Sequence, residues 1–309
     1  MRRGSLIIAV AAMLLIPAAA ASAKKPSARQ PSGPVNAAQN TVKVNGNGGT
    51  TGSATATCPK GQVPIAGGWN APGSVRQSFI TVYASTRSGK RSWTVSGVIN
   101  GFVTPPATQW KLNLTAYAYC RAGSALRSQT KAVSLPLIQN DYAFVTATAR
   151  CPKGTNALSG GFRIPPPNTG TAGWVHQSSR KNARSWSASV SAATTISQPA
   201  LSMTTIAYCA PGATPPAFKK TTVNAPPSDT PPGSFPPTPG APPIVAKSPK
   251  CSNMVGGGFR SPSVIATPQA SSIPFIYESR RLGRSGPWRT SMFNPGVNPT
   301  TLTSTGYCG

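Results

Sequence analysis

The sequence predicts an all-β protein of three tandem, degenerate repeats of about 90 residues, each an antiparallel β-sandwich stapled by one disulfide. Three observations carry that expectation. Six cysteines fall into three pairs of similar spacing, Cys58 and Cys120, Cys151 and Cys209, Cys251 and Cys308, separated by 62, 58 and 57 residues. The same landmarks recur, in the same order, between the members of each pair. Thr, Ser, Val, Ala, Gly and Pro dominate, and 34 prolines forbid long helices while favouring short strands between turns.

In chain order, the first 23 residues read as a secretory leader. Arg2 and Arg3 precede the apolar run Leu6 to Ile16, Pro17 ends it, and Ala21-Ser22-Ala23 supplies small residues at a cleavage site. As a helix that run rises only about 16 Å, against a hydrocarbon core of roughly 30 Å, so it does not read as an anchor. The paired arginines leave general and twin-arginine export both open. The expected location is secreted or extracytoplasmic, with non-covalent attachment to the envelope open. Residues 24–40 are expected to be disordered, and the repeats to occupy 41–124, 125–212 and 213–309.

Each repeat opens on a short β-like run: Thr41-Val42-Lys43-Val44, Thr130-Lys131-Ala132-Val133 and Thr221-Thr222-Val223. The first cysteine follows within Cys58-Pro59-Lys60-Gly61, Cys151-Pro152-Lys153-Gly154 and Pro249-Lys250-Cys251. Next comes a glycine pair with an aromatic: Gly67-Gly68-Trp69, Gly160-Gly161-Phe162 and Gly257-Gly258-Phe259. Trp93, Trp186 and Trp288 follow the first cysteine at offsets of 35, 35 and 37, and Tyr119-Cys120, Tyr208-Cys209 and Tyr307-Cys308 close the units. Ordered landmarks at a period near 90 mark a repeat architecture.

Strand faces agree. Leu112, Leu114, Ala116 and Ala118 share the parity of Cys120, and Leu201, Met203, Thr205 and Ala207 that of Cys209, which puts the cysteines on the apolar face. Zinc ligation needs close Cys or His spacing, and the chain has one histidine, so the cysteines read as one disulfide per repeat. Closing a loop of about 60 residues contributes roughly 4 kcal/mol in the chain-entropy account. The tract 225–243 reads as an expanded loop inside repeat 3, stiffened towards polyproline II; a linker with repeat 3 starting at Ile244 is the other reading. Glycine pairs inside strands read as bulges or close backbone approach.

The signature C-P-x-G, glycine pair plus aromatic, mid-repeat tryptophan and terminal Y-C resembles repeat modules of uncharacterised secreted proteins of actinomycete-type bacteria. It covers nearly all of residues 41–309, although Cys251-Ser252-Asn253 departs from C-P-x-G. That resemblance implies secretion and little else. The chain is also similar, more weakly, to vitelline membrane outer layer proteins, whose three pseudo-symmetric units carry C-P-x-G and end in Y-C. This second resemblance implies a pseudo-threefold β-prism as the alternative to separate sandwiches.

The chain holds 30 Lys and Arg against three acids, Asp141, Asp229 and Glu278, for a net charge of +27. Such an imbalance predicts attraction to polyanions. The acids lie far apart in sequence, which gives no carboxylate pair for glycoside hydrolysis and no calcium cage. His176 shares a repeat with Asp141, but no nucleophile-elbow motif accompanies it. Gly256-Gly257-Gly258 lacks the following helix that a phosphate cradle needs. The reading is therefore non-enzymatic, with no metal or cofactor expected.

One feature points to a ligand. Before each mid-repeat tryptophan sits a basic cluster at a turn: Arg87, Lys90 and Arg91; Arg180, Lys181 and Arg184; Arg280, Arg281 and Arg284. These nine residues are the candidate site for an anionic partner: a wall polymer, an acidic glycan or nucleic acid. The alternative is a structural or adhesive spacer that presents loops to a protein or glycan partner, its basic turns serving to block edge-to-edge pairing.

Overall fold

The structure, a computed structural model, describes residues 32–72, 78–101, 109–137, 139, 142–166, 171–194, 199–212, 214–227, 243–262, 274–294 and 298–309. The leader and most of the tract 225–243 lie outside the described residues. Among the described residues every regular element is a strand, six per repeat. Repeat 1 supplies β1 (Ser32–Gly46), β2 (Thr51–Thr57), β3 (Gln62–Asn70), β4 (Ser78–Ser88), β5 (Ser92–Gly101) and β6 (Trp110–Ala122). Repeat 2 supplies β7 (Arg127–Leu135), β8 (Tyr142–Arg150), β9 (Thr155–Arg163), β10 (Thr171–Asn182), β11 (Ser185–Thr194) and β12 (Leu201–Pro211). Repeat 3 supplies β13 (Ala217–Ala225), β14 (Ile244–Lys247), β15 (Met254–Arg260), β16 (Phe275–Arg281), β17 (Trp288–Phe293) and β18 (Thr300–Cys308).

The strands form three six-stranded antiparallel sheets, ordered β1-β6-β3-β16-β17-β14, β7-β12-β9-β4-β5-β2 and β13-β18-β15-β10-β11-β8. The all-β class and the three disulfides are as the sequence implies: Cys58–Cys120, Cys151–Cys209 and Cys251–Cys308 have Cα separations of 5.7, 5.7 and 5.9 Å. The arrangement is the prism, and not one sandwich per repeat. Each repeat splits into two halves of three strands. Its opening, glycine-pair and closing strands lie in one sheet, and its first-cysteine strand and basic hairpin lie in the next. The exchange is cyclic: the hairpin of repeat 1 joins repeat 2, that of repeat 2 joins repeat 3, and that of repeat 3 returns to repeat 1. The physical reason is that a three-stranded half buries too little alone, whereas three shared sheets enclose one apolar core.

A second difference lies at the amino end. Residues 32–40 are strand, because β1 runs alongside β6 from Asn36, opposite Cys120, to Gly46, opposite Trp110. The polar stretch Asn36–Asn40 carries no alternation that reads as a strand. It is extended because the edge of β6 holds it. β13 pairs along its whole length with β18 of the same repeat, so the proline tract leaves from a strand belonging to repeat 3.

The glycine pairs explain how the sheets join. A Cβ on the first glycine, Gly67, Gly160 or Gly257, would fall inside the indole of Trp93, Trp186 or Trp288 of the same repeat. A Cβ on the second, Gly68, Gly161 or Gly258, would strike the carbonyl of Ser279, Ser85 or Ser178 in the hairpin of another repeat. That is the junction itself, where two residue pairs per seam bridge the halves: Ser85 opposite Phe162, Ser178 opposite Phe259, Ser279 opposite Trp69. The indole nitrogens donate to Ser85, Ser178 and Ser279 at 3.0, 3.0 and 2.9 Å, tying core to seam. The third residues of the motif meet in the middle, where the Trp69 ring lies 5.7 Å from Phe162 and 5.5 Å from Phe259, edge to face.

Gly161→Ala is expected to lower the unfolding free energy by about 1–3 kcal/mol, since an added methyl meets rigid backbone on the facing strand. Urea denaturation followed by tryptophan fluorescence measures it. Because the sheets are shared, wild type and variant should each unfold in one transition with coincident fluorescence and circular-dichroism midpoints; three resolved transitions would contradict the shared sheets.

Candidate polyanion-binding end of the prism

Register places the basic hairpins. β2 ends at Thr57 opposite Ser92, and β3 begins at Gln62 opposite Ala122. The turn 58–61, the hairpin tip 88–92 and the first disulfide therefore share one end of the molecule. The same holds in repeat 2, where Arg150 faces Ser185 and Thr155 faces Pro211, and in repeat 3, where Lys247 faces Arg289 and Met254 faces Cys308. The antiparallel seams turn all three hairpins the same way, so the three tips and three disulfides gather at one end. Gly89 and Gly283 take φ of 69° and 64° there, left-handed values that the tight tips require.

Most of the nine candidate cations are engaged by the protein itself. The backbone N–H groups of Arg87, Arg180 and Arg281 each donate at 2.7 Å to the hydroxyl of a tyrosine in another repeat, Tyr208, Tyr307 and Tyr119. Each guanidinium then lies over that same ring, at 5.0, 4.8 and 5.0 Å from the centroid. The tyrosines pack edge to face on Trp93, Trp186 and Trp288. Burial pushes the hydroxyls of Tyr208 and Tyr307 up to about 12, and that of Tyr119 further, so all three stay protonated at neutral pH. Burial pulls the three arginines below the usual guanidinium value without neutralising them.

Arg91 and Arg184 hold their own disulfide turns. Nε and Nη2 of Arg91 donate to the Cys58 carbonyl at 3.1 and 2.6 Å, and those of Arg184 to the Cys151 carbonyl at 3.2 and 2.9 Å. Arg280 pairs with Glu278 at 2.8 Å, and Arg289 takes the other carboxylate oxygen at 2.8 Å. Glu278 is itself buried. The three remaining members, Lys90, Lys181 and Arg284, are exposed at the tips. Exposed Lys60, Lys153 and Lys250, beside the first cysteines, stand at the same end. Their signal was present in C-P-K-G for Lys60 and Lys153 and in Pro249-Lys250-Cys251 for Lys250, contexts that read first as the setting of a disulfide.

His176 is buried on β10, 3.2 Å from the Ser191 hydroxyl and stacked on Phe144 at 5.1 Å. Ser191 is fully buried, and Asp141 of the same repeat lies outside the described residues. Burial, aided by Arg260, lowers the His176 pKa to about 3. Among the described residues no group of three metal-ligating side chains comes together, and no helix is long and apolar enough to cross a membrane. No protein-family model matches the chain, and no curated protein is detectably similar to it.

The histidine gives a pH dependence of defined sign. Its folded pKa lies below the unfolded value near 6.5, so its stabilising effect is complete above about pH 6.5 and is lost as pH falls towards 3. Between pH 7 and 5 few other side chains titrate, and wild type should lose about 2 kcal/mol of unfolding free energy. His176→Gln should flatten that decline in denaturation curves recorded across the range.

Proposed function

We propose that the protein is an extracytoplasmic, non-catalytic prism that binds anionic polymers through the cations of its disulfide end. One observation supports this reading most. Among the described residues the one acidic side chain is Glu278, buried and held by two arginines. The exposed lysines and arginines thus have no described acidic side chain beside them, and their potential adds instead of cancelling. Three tips pointing one way also suit a chain-like partner, because each weak contact raises the effective concentration of the next. The three disulfides are consistent with an oxidising, extracytoplasmic setting.

Replacing Lys90, Lys181 and Arg284 together by serine tests the reading without disturbing the tyrosine seams. On duplex DNA the triple variant should bind more weakly, and its log–log salt slope should fall by about 2.7, roughly 0.9 per lost contact. The control replaces Lys43, Lys111 and Arg163, which removes the same charge from exposed positions away from the disulfide end. A sulfated glycan and a phosphate-rich wall polymer complete the titrations. Equal loss in both variants means that the charge acts diffusely and the tips are no site. No measurable binding of any polymer replaces this reading with that of a spacer.

A further inference from the structure

Two large apolar side chains are exposed among the described residues, Phe144 and Phe218. Phe144 lies flat on the buried His176, with 5.1 Å between ring centroids, and shields it. Phe218, 59% exposed, stands at the disulfide end on β13, opposite Tyr307 and next to Ala217, which faces Cys308. The Arg180 guanidinium lies 5.9 Å from the Phe218 centroid and 4.8 Å from that of Tyr307. Arg180 is held there by the Pro216 carbonyl, which its Nη2 reaches at 2.5 Å.

The other two repeats show that the tyrosine clamp does not need this ring. The residue opposite the clamp tyrosine is Ala37 in repeat 1 and Ser128 in repeat 2, against Phe218 in repeat 3. Yet the three clamps share one geometry, with the N–H donated at 2.7 Å and the guanidinium 4.8 to 5.0 Å from the ring. A phenyl ring left in water forgoes the stabilisation of burial, and here neither core nor clamp uses it. Its surroundings are cationic. Lys220 shares its face of β13 two residues on, roughly 7 Å away. Exposed Lys181 follows Arg180 at the hairpin tip, and exposed Lys219 reaches across to the carbonyl of exposed Lys250 at 3.0 Å.

We propose that the anionic polymer is a single-stranded nucleic acid, with one base stacked on Phe218 and the flanking phosphates on Lys181 and Lys220. This rests on the polymer reading above and names the polymer. An aromatic ring set among cations matches the two parts of a single strand: every base offers a π-face, and the backbone carries a charge on either side of it. A duplex keeps its bases in the stack, where Phe218 cannot lie against them. A sugar ring also packs on a phenyl, but its hydroxyls are oriented by amides and carboxylates, and the polar side chains around Phe218 are all cations.

Fluorescence anisotropy at one ionic strength tests it, comparing an oligothymidylate of about 15 nucleotides with an abasic oligonucleotide of the same length and charge. Wild type should prefer the oligothymidylate by about tenfold, the scale of one stacked base. Phe218→Ala should abolish that preference and leave binding to the abasic oligonucleotide and to duplex DNA unchanged. It should also keep the salt slope, since it removes no charge. Phe218→Tyr retains a ring and should retain the preference. The side chain is exposed, so both variants should keep the wild-type unfolding midpoint. A wild type without the preference, or a Phe218→Ala variant that keeps it, overturns the proposal. So does an equal loss by Phe218→Ala on a sulfated glycan, because the ring then serves sugars. The polymer reading fails separately: it stands if both oligonucleotides bind with a steep salt slope and no base preference, and it falls with this inference only if neither binds.

Discussion

The close approach of one repeat's backbone to a glycine of another governs this structure. At Gly68, Gly161 and Gly258 the facing carbonyl leaves no space for a side chain, and it is there that a three-stranded half becomes part of a six-stranded sheet. The preceding glycine clears a flat surface for the tryptophan, whose indole nitrogen returns to the seam serine. The tyrosine beside each second cysteine packs on that tryptophan and accepts an N–H from the same hairpin. Glycine pair, tryptophan, serine and tyrosine are one device, built three times, that joins six three-stranded halves around a single core.

The same device explains why charge density alone overstates how many of the cations are free to meet a ligand. A guanidinium over an aromatic face, with its own backbone N–H bound to that ring's hydroxyl, is a structural clamp whatever its formal charge. Arg87, Arg180 and Arg281 are clamps of this kind, and Arg91 and Arg184 serve the disulfide turns. Lysine does the exposed work at the tips of repeats 1 and 2, and Arg284 at the tip of repeat 3. The division follows the chemistry: the planar fork suits buried carbonyls and rings, and the hydrated ammonium suits the water-facing turn.

Much of this was legible in the residues. Cysteine spacing, the alternating closing strands and the ordered landmarks lead to an all-β chain with one disulfide per repeat, because each rests on local pattern. The glycine pairs read as bulges or close backbone approach, and it is close approach that the structure shows. What faced them was not legible, since a seam of two residue pairs leaves no periodicity in either strand. Period and parity are the same for a closed sandwich and for a cyclic exchange, so the sequence pattern alone could not choose between them. The edge pairing that holds Asn36–Asn40 extended is equally silent in sequence. Of the candidate site, the hairpin positions were visible, and the sorting of clamps from free cations was not, because the tyrosines that make the clamps sit in another repeat.

The cyclic exchange has a consequence in time. A chain that emerges from its amino end presents β3 long before β16 exists, yet β16 is the strand that covers it. Repeat 1 therefore waits, with one sheet edge open and its share of the core exposed, until the last repeat has appeared and the ring can close. Contacts spanning some 200 residues are slow to form, and an open strand edge recruits whatever strand is nearest. In the meantime β3 and the hairpin of a neighbouring chain can meet as readily as the proper pair, so a crowded chain of this design is prone to link with its own copies through the seam that should have closed upon itself.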